Sequence, residues 1–253
     1  MILNSKTFSA VLIALFITAA SLQIAQADSK SLVWTKEYIT VGEGNIDIEY
    51  YATLKQADIH DTGTEKWIQE VEFEYGITDN WDISVYQVFE AKDRDDAEDT
   101  RHNGTKIETR YTLEQDVIPV DVLLYAEYVF PRVPTTDKHK LELKLGLSKT
   151  FGDFTFVYNQ IIENFAKNNN TSKQGNNNTK KTQHEFAGGV FTHINTAWTY
   201  GVETTGNYTS HSWRVGPTVG YHSKKIGVAA GLLRGLNNET DDLRARVIIS
   251  VPF

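Results

Sequence analysis

The stretch EVEFEYGITDNWDISVYQVFE, Glu70 to Glu90, decides how the rest of the chain is read. Val71, Phe73 and Tyr75 alternate with Glu70, Glu72 and Glu74. After a short break, Gly76 to Asn80, the residues Trp81, Ile83 and Val85 alternate with Asp82 and Ser84, and Phe89 keeps the phase. Side chains of a strand point alternately to opposite faces, so this is a hairpin with one apolar face and one acidic face. The two faces need two different surroundings.

The same two-residue period runs from about residue 44 to the end. Ile46, Ile48, Tyr50, Ala52 and Leu54 alternate with Asp47, Glu49, Tyr51, Thr53 and Lys55. Further strands are read at Ile107–Leu113 and Val122–Tyr128. The cleanest is Leu141, Leu143, Leu145 and Leu147 against Glu142, Lys144, Gly146 and Ser148. Two strands, near 153–165 and 183–194, are less regular, because Val157 and Ile161 fall on what should be the polar face of the first. Trp198, Tyr200 and Val202 restore the pattern. Pro217 interrupts the strand after it and predicts a bulge, since proline cannot donate to a ladder. The last two strands are Ile226–Leu232 and Leu243–Phe253.

The connections sort by parity. Those after odd strands are generally longer and rich in Asp, Asn, Thr and Lys; those after even strands are mostly tight. A soluble sandwich gives no reason for that sorting, whereas a barrel crossing an outer membrane does. The expected fold is therefore all-β: a closed antiparallel transmembrane β-barrel of about twelve strands over residues 44–253, with both termini periplasmic. Lys6, the apolar run Phe8–Ala20 and Ala25-Gln26-Ala27 read as a cleaved signal peptide over residues 1–27, leaving 28–43 as a periplasmic N-terminal segment. No later apolar run is long enough for a membrane helix.

Composition narrows the function. The chain has 253 residues, no cysteine and a net charge of -8. The negative balance argues against nucleic-acid binding, and the lack of thiols excludes disulfide and thiolate-metal chemistry. No cofactor or metal is expected. The closing VIISVPF resembles the C-terminal signature of Gram-negative outer-membrane proteins, although Val251 stands where an aromatic is common. That resemblance implies that Phe253 is read by the barrel-assembly machinery, and that lipid and lipopolysaccharide are the surroundings. EYGITDNWDISVY, VLLYAEY, LELKLGLSKTFGDFTFVYN and WRVGPTVGYHSKKIGVAAG are similar to a family of uncharacterised bacterial outer-membrane barrels. The resemblance implies a fold and a location and brings no substrate.

The candidate site is the set of charges on the inward face. Acids gather on the first three strands: Asp47, Glu49, Glu70, Glu72, Glu74 and Asp82. Bases lie elsewhere: Lys106, Arg110, Lys144, Arg214, Arg244 and Arg246. Charges of this kind set selectivity in a pore for small solutes; arranged in pairs, they would instead fill the lumen of a structural or interaction protein. Closure of the last strand on the first is expected to bring Arg244 and Arg246 beside Asp47 and Glu49. The acidic loops and His60, His102, His139, His184 and His211 read as solvated outer-rim groups. A lipid-modifying enzyme is the least favoured class, since Ser210-His211-Ser212 and His193 with Asn195 do not match the motif of barrel hydrolases.

Overall fold

The computed structural model describes residues 30–61, 63, 65–92, 99–114, 119–132, 139–166 and 182–253. The expected leader, most of the acidic stretch 93–102 and the Asn-rich run 168–178 lie outside the described residues. Twelve strands follow in order: β1 Ile46–Gln56, β2 Glu65–Thr78, β3 Trp81–Lys92, β4 Asp99–Thr112, β5 Asp121–Pro131, β6 His139–Phe151, β7 Phe154–Ala166, β8 Thr182–His193, β9 Trp198–Asn207, β10 Ser212–His222, β11 Gly227–Gly235 and β12 Leu243–Pro252. Each pairs antiparallel with its chain neighbours, and β12 returns to β1, so the sheet is a closed barrel.

One rim joins the strands through 57–64, 93–98, 132–138, 167–181, 208–211 and 236–242; we call it the loop rim. The other, the turn rim, holds 79–80, 113–120, 152–153, 194–197 and 223–226, together with both ends of the barrel. The parity expected from the sequence holds apart from 113–120, which is long, and 208–211, which is no longer than 194–197 or 223–226. The bulge expected at Pro217 is absent. Val215 faces Arg234 and Thr218 faces Gly231 with an unchanged offset, and Pro217 sits opposite Val202. The missing N–H disturbs the pairing locally without inserting a residue. Register shifts occur instead between Gly76 and Thr78 and between Val88 and Phe89.

The polarity of the barrel is inverted relative to a soluble protein. Phe73 is 52% exposed, while its neighbours Glu72 and Glu74 are 0% and 1% exposed. Ile83, Val85, Leu124, Leu143, Leu145, Val202 and Val247 continue an apolar outer band. Tyr75, Trp81, Phe151, Phe154 and Trp198 ring the turn rim. The Trp81 indole N–H is satisfied by Thr109 Oγ1 at 2.8 Å. An apolar surface this continuous fits hydrocarbon rather than water, and ring closure leaves no strand edge unpaired there. The class defined is a transmembrane barrel of the outer-membrane kind.

The segment before β1 lies inside this wall. Gly42 and Gly44 take positive φ, 78° and 75°, in a turn docked on the β2–β3 connection, where Thr40 Oγ1 donates to the Asp79 carbonyl. From there residues 30–39 run through the lumen. Leu32 packs with Val157 and Phe191; Val33 packs with Tyr51, Tyr86, Val88, Ala229 and Ile248. Close approach requires glycine in the wall: a Cβ on Gly189 would meet Leu32 Cδ1 at 2.8 Å, and one on Gly231 would meet Val33 and Trp34 at 2.6 Å. This is why Val157 and Phe191 blur the alternation of β7 and β8: they pack inward against Leu32 of the plug, while Ile161 lines the lumen.

Candidate functional site

The plug is held by polar contacts that reach across the barrel. Glu203 on β9, wholly buried, accepts three consecutive backbone N–H groups, from Val33 at 2.9 Å, Trp34 at 3.0 Å and Thr35 at 2.9 Å. Asn159 on β7 pairs with both the N–H and the carbonyl of Lys36, at 2.6 and 2.9 Å. Glu37 folds back to accept the N–H groups of Ser31 and Leu32. Lys36 reaches Glu108 Oε1 at 2.9 Å, Lys30 pairs with Glu49, and the Tyr38 hydroxyl donates to the Leu113 carbonyl. Ser31, Leu32, Val33 and Thr35 are buried, so these side chains satisfy backbone groups that would otherwise be costly to bury.

The predicted acids and bases all face inward, in three settings. Towards the turn rim lies a belt of buried carboxylates: Asp47, Glu49, Glu72, Glu74 and Asp82. Arg110, 2% exposed, forks onto Asp82 at 3.0 Å and 2.9 Å and also pairs with Glu74. The second setting is a ladder of lysines and glutamates. Lys106 meets Glu70 at 2.7 Å and Glu127 at 3.4 Å; Lys140 meets Glu142 and Glu163; Lys144 meets Glu142 at 2.7 Å and lies 4.2 Å over the Tyr125 ring.

The third setting corrects the expected closure contact. β12 does return to β1, but with an offset that places Arg246 opposite Thr53 and Arg244 opposite Lys55, while Asp47 and Glu49 face Pro252 and Ser250. The arginines therefore stand towards the loop rim, away from the acids of β1, and Asp47 is met by the Ser250 hydroxyl at 2.5 Å. Arg246 donates to Thr53 Oγ1 at 2.9 Å and to the Val33 carbonyl of the plug at 3.0 Å. Its guanidinium also lies over the rings of Trp34 and Tyr51. Arg244 and Arg214 share Asp241, at 2.6 and 3.5 Å. Among the described residues no carboxylate lies within ion-pair distance of Arg246 or Lys55. Lys55, Arg214, Arg244 and Arg246 thus form a basic wall with one acid in contact. Burial pushes the carboxyl of Asp241 up, but Arg244 beside it, then Arg214 and Lys55, outweigh that push and hold it below the ordinary carboxylate range.

These walls enclose a cavity of about 540 Å³ whose floor is the plug, from Lys30 to Ile39. Its lining includes Lys30, Lys36, Lys55, Lys106, Arg110, Lys140, Lys144, Arg214, Arg244 and Arg246, ten cations, against eight acids, Glu37, Glu70, Glu108, Glu127, Glu142, Glu163, Glu185 and Glu239. With Asp241, which pairs with Arg214 and Arg244, the formal balance is +1 in a chain of net charge -8. The sequence reading passed over Glu108, Glu127 and Glu142, although they share the phase of Lys106, Arg110 and Lys144. It also passed over Glu203, whose partners lie some 170 positions away and leave no local signal. Of the fragments weighed for catalysis, Ser210 and Ser212 bond each other, and His211 sits at φ 59° in the turn between them.

No protein-family model matches the sequence, and no curated protein matches it. Solved structures do. A KdgM porin in complex with disordered oligogalacturonate superposes with a TM-score of 0.55 at 10% identity, over 82% of this chain and 98% of that one. A NanC porin superposes with a TM-score of 0.50 at 14% identity, over 82% and 98%. At such identities the shared feature is the fold: this chain has a porin-like, closed twelve-stranded barrel.

Proposed function

We propose that the protein is an outer-membrane channel for small anionic solutes, with its N-terminal segment serving as a plug. The observation that carries this reading is the basic wall. Lys55, Arg214, Arg244 and Arg246 face the cavity with only Asp241 in ion-pair contact among the described residues. A confined cavity focuses such a field and concentrates anions. The KdgM structure that shares the fold holds oligogalacturonate, a chain of acidic sugars, which agrees with this preference. Arg246 links the wall to the plug through the Val33 carbonyl. An anion that engages Arg246 competes with that carbonyl and loosens the plug from the side of the loop rim.

The test is reversal potential in a planar bilayer under a salt gradient. Arg246→Ala and Lys55→Ala should each shift selectivity toward cations, and Asp241→Asn should shift it toward anions. Selectivity that stays unmoved in all three variants would remove the basic wall from the conduction path.

The same reading places both barrel ends at the periplasmic rim, residues 1–27 in a cleaved leader, and Phe253 in contact with the assembly machinery. It also sets the apolar band against lipid and lipopolysaccharide. Sequencing of the protein recovered from outer membranes should begin at Asp28; a sequence starting at Met1 would contradict the leader.

A further inference from the structure

The basic wall already holds one acid, and that acid belongs to the protein. Asp241 comes from the connection between β11 and β12. Its Oδ2 meets Arg244 Nε at 2.6 Å and Arg214 Nη2 at 3.5 Å. The connection that carries it is pinned at several points. The Gly235 N–H donates to the Asp242 carbonyl, the Asp242 N–H donates to the Ala57 carbonyl, and the Asn237 amide donates to the His211 carbonyl. The backbone is therefore fixed, and the Asp241 side chain is the part free to turn. That side chain is 29% exposed and the Arg244 side chain 24%, so solutes can reach the pair.

Arginines that hold one carboxylate can hold another in the same way, because their planar donors match any carboxylate. Asp241 thus occupies the position that an acidic solute would take. Without it, Lys55, Arg214, Arg244 and Arg246 would share a confined wall with no acid in ion-pair contact, and like charges placed together repel. Exchange of one carboxylate for another avoids that state. Lys55 extends the position. It stands opposite Arg244 across β1 and β12, and among the described residues no carboxylate lies within ion-pair distance of it. Two other acids of the cavity are engaged elsewhere: Glu70 by Lys106, and Glu185 by the Asn207 amide.

We propose that Asp241 is a tethered competitor. A small carboxylate solute enters the basic wall by replacing Asp241 on Arg214 and Arg244, and a second acid group on the solute meets Lys55. Small dicarboxylates are the class that matches. The proposal rests on the reading of the wall as an anion site. It adds that Asp241 sets the affinity, keeping it weak enough for a bound solute to leave.

The experiment measures binding rather than conduction, by titration calorimetry on the whole barrel in detergent. Succinate is the probe, with propionate and the uncharged succinamide for comparison. The parent should bind succinate more tightly than propionate, and succinamide not at all. Asp241→Asn should bind succinate about tenfold tighter or more, the scale of one charge-assisted hydrogen bond. Glu239→Gln is the control. It removes an equal charge from the same connection, at an exposed residue that lines the cavity without an ion pair among the described residues, and it should change the affinity less than about twofold. Lys55→Gln should erase the preference for succinate over propionate; a preference that survives would overturn the dicarboxylate assignment. Equal gains in Asp241→Asn and Glu239→Gln would show that Asp241 acts as a distant charge and would overturn the competitor. So would succinate binding that Asp241→Asn leaves unchanged, although the anion site itself would then stand. No succinate binding in either the parent or Asp241→Asn would remove the anion site and the proposal together.

Discussion

Arg110 shows what a single side chain does in this lumen. Its guanidinium forks onto Asp82, reaches Glu74, and is closed off from solvent by the wall. Arginine suits the position because its planar donors match a carboxylate and its charge cannot be lost to burial. Replacing Arg110 with Met should destabilise the barrel by about 3–5 kcal/mol, because two buried carboxylates lose their counter-charge. Asp82→Asn in the same chain should restore part of that loss. Unfolding in urea from detergent measures both; equal stability of parent and Arg110→Met would mean that water reaches the belt. The inward orientation of Arg110 and Asp82 was legible from alternation alone, and so was the outward orientation of Phe73 and Trp81. The offset between β12 and β1 was not. Alternation fixes which face a residue takes but leaves slips by an even number of residues open. For that reason the sequence pattern puts Arg244 and Arg246 beside Asp47 and Glu49, whereas their cross-strand neighbours are Lys55 and Thr53.

At the scale of the element, β6 and the plug behave in opposite ways. Leu141, Leu143, Leu145 and Leu147 form an uninterrupted outer stripe that the sequence displays without ambiguity. An arginine at Leu145 should cost about 2–4 kcal/mol near the membrane midplane. A glutamate at Thr205, which lines the cavity opposite Arg214, should be accepted better, since that face is polar and supplies the counter-charge. Folding yield read by heat-modifiable gel migration compares the two; similar yields would mean that the faces are wrongly assigned. Gly146 is less tolerant than its inward position suggests, because a Cβ there would meet Leu123 at 3.0 Å and Asn159 at 3.1 Å. The plug left almost no mark on the sequence. Residues 30–39 have no periodic pattern, and their partners, Asn159, Gly189, Glu203, Thr218 and Gly231, are scattered over β7 to β11. Their one trace was indirect, in the apolar residues that blurred β7 and β8.

For the whole molecule, the two halves of the lumen have different roles. The half towards the turn rim is filled by the plug and the carboxylate belt; the half towards the loop rim, among the described residues, holds the cavity lined by the basic wall. Stability and passage therefore depend on different residues, and the plug stands between them. Removing it should open a path at little cost to the wall, because the strand ladder closes without it. Conductance in planar bilayers, comparing the full chain with a variant lacking residues 30–39, tests this most directly. The full chain should conduct rarely, the shortened chain should conduct steadily, and Glu203→Ala should fall between them, since three buried N–H groups lose their acceptor at about 1–3 kcal/mol each. Equal conductance in the full and shortened chains would contradict the plug, and silence in both would contradict the channel.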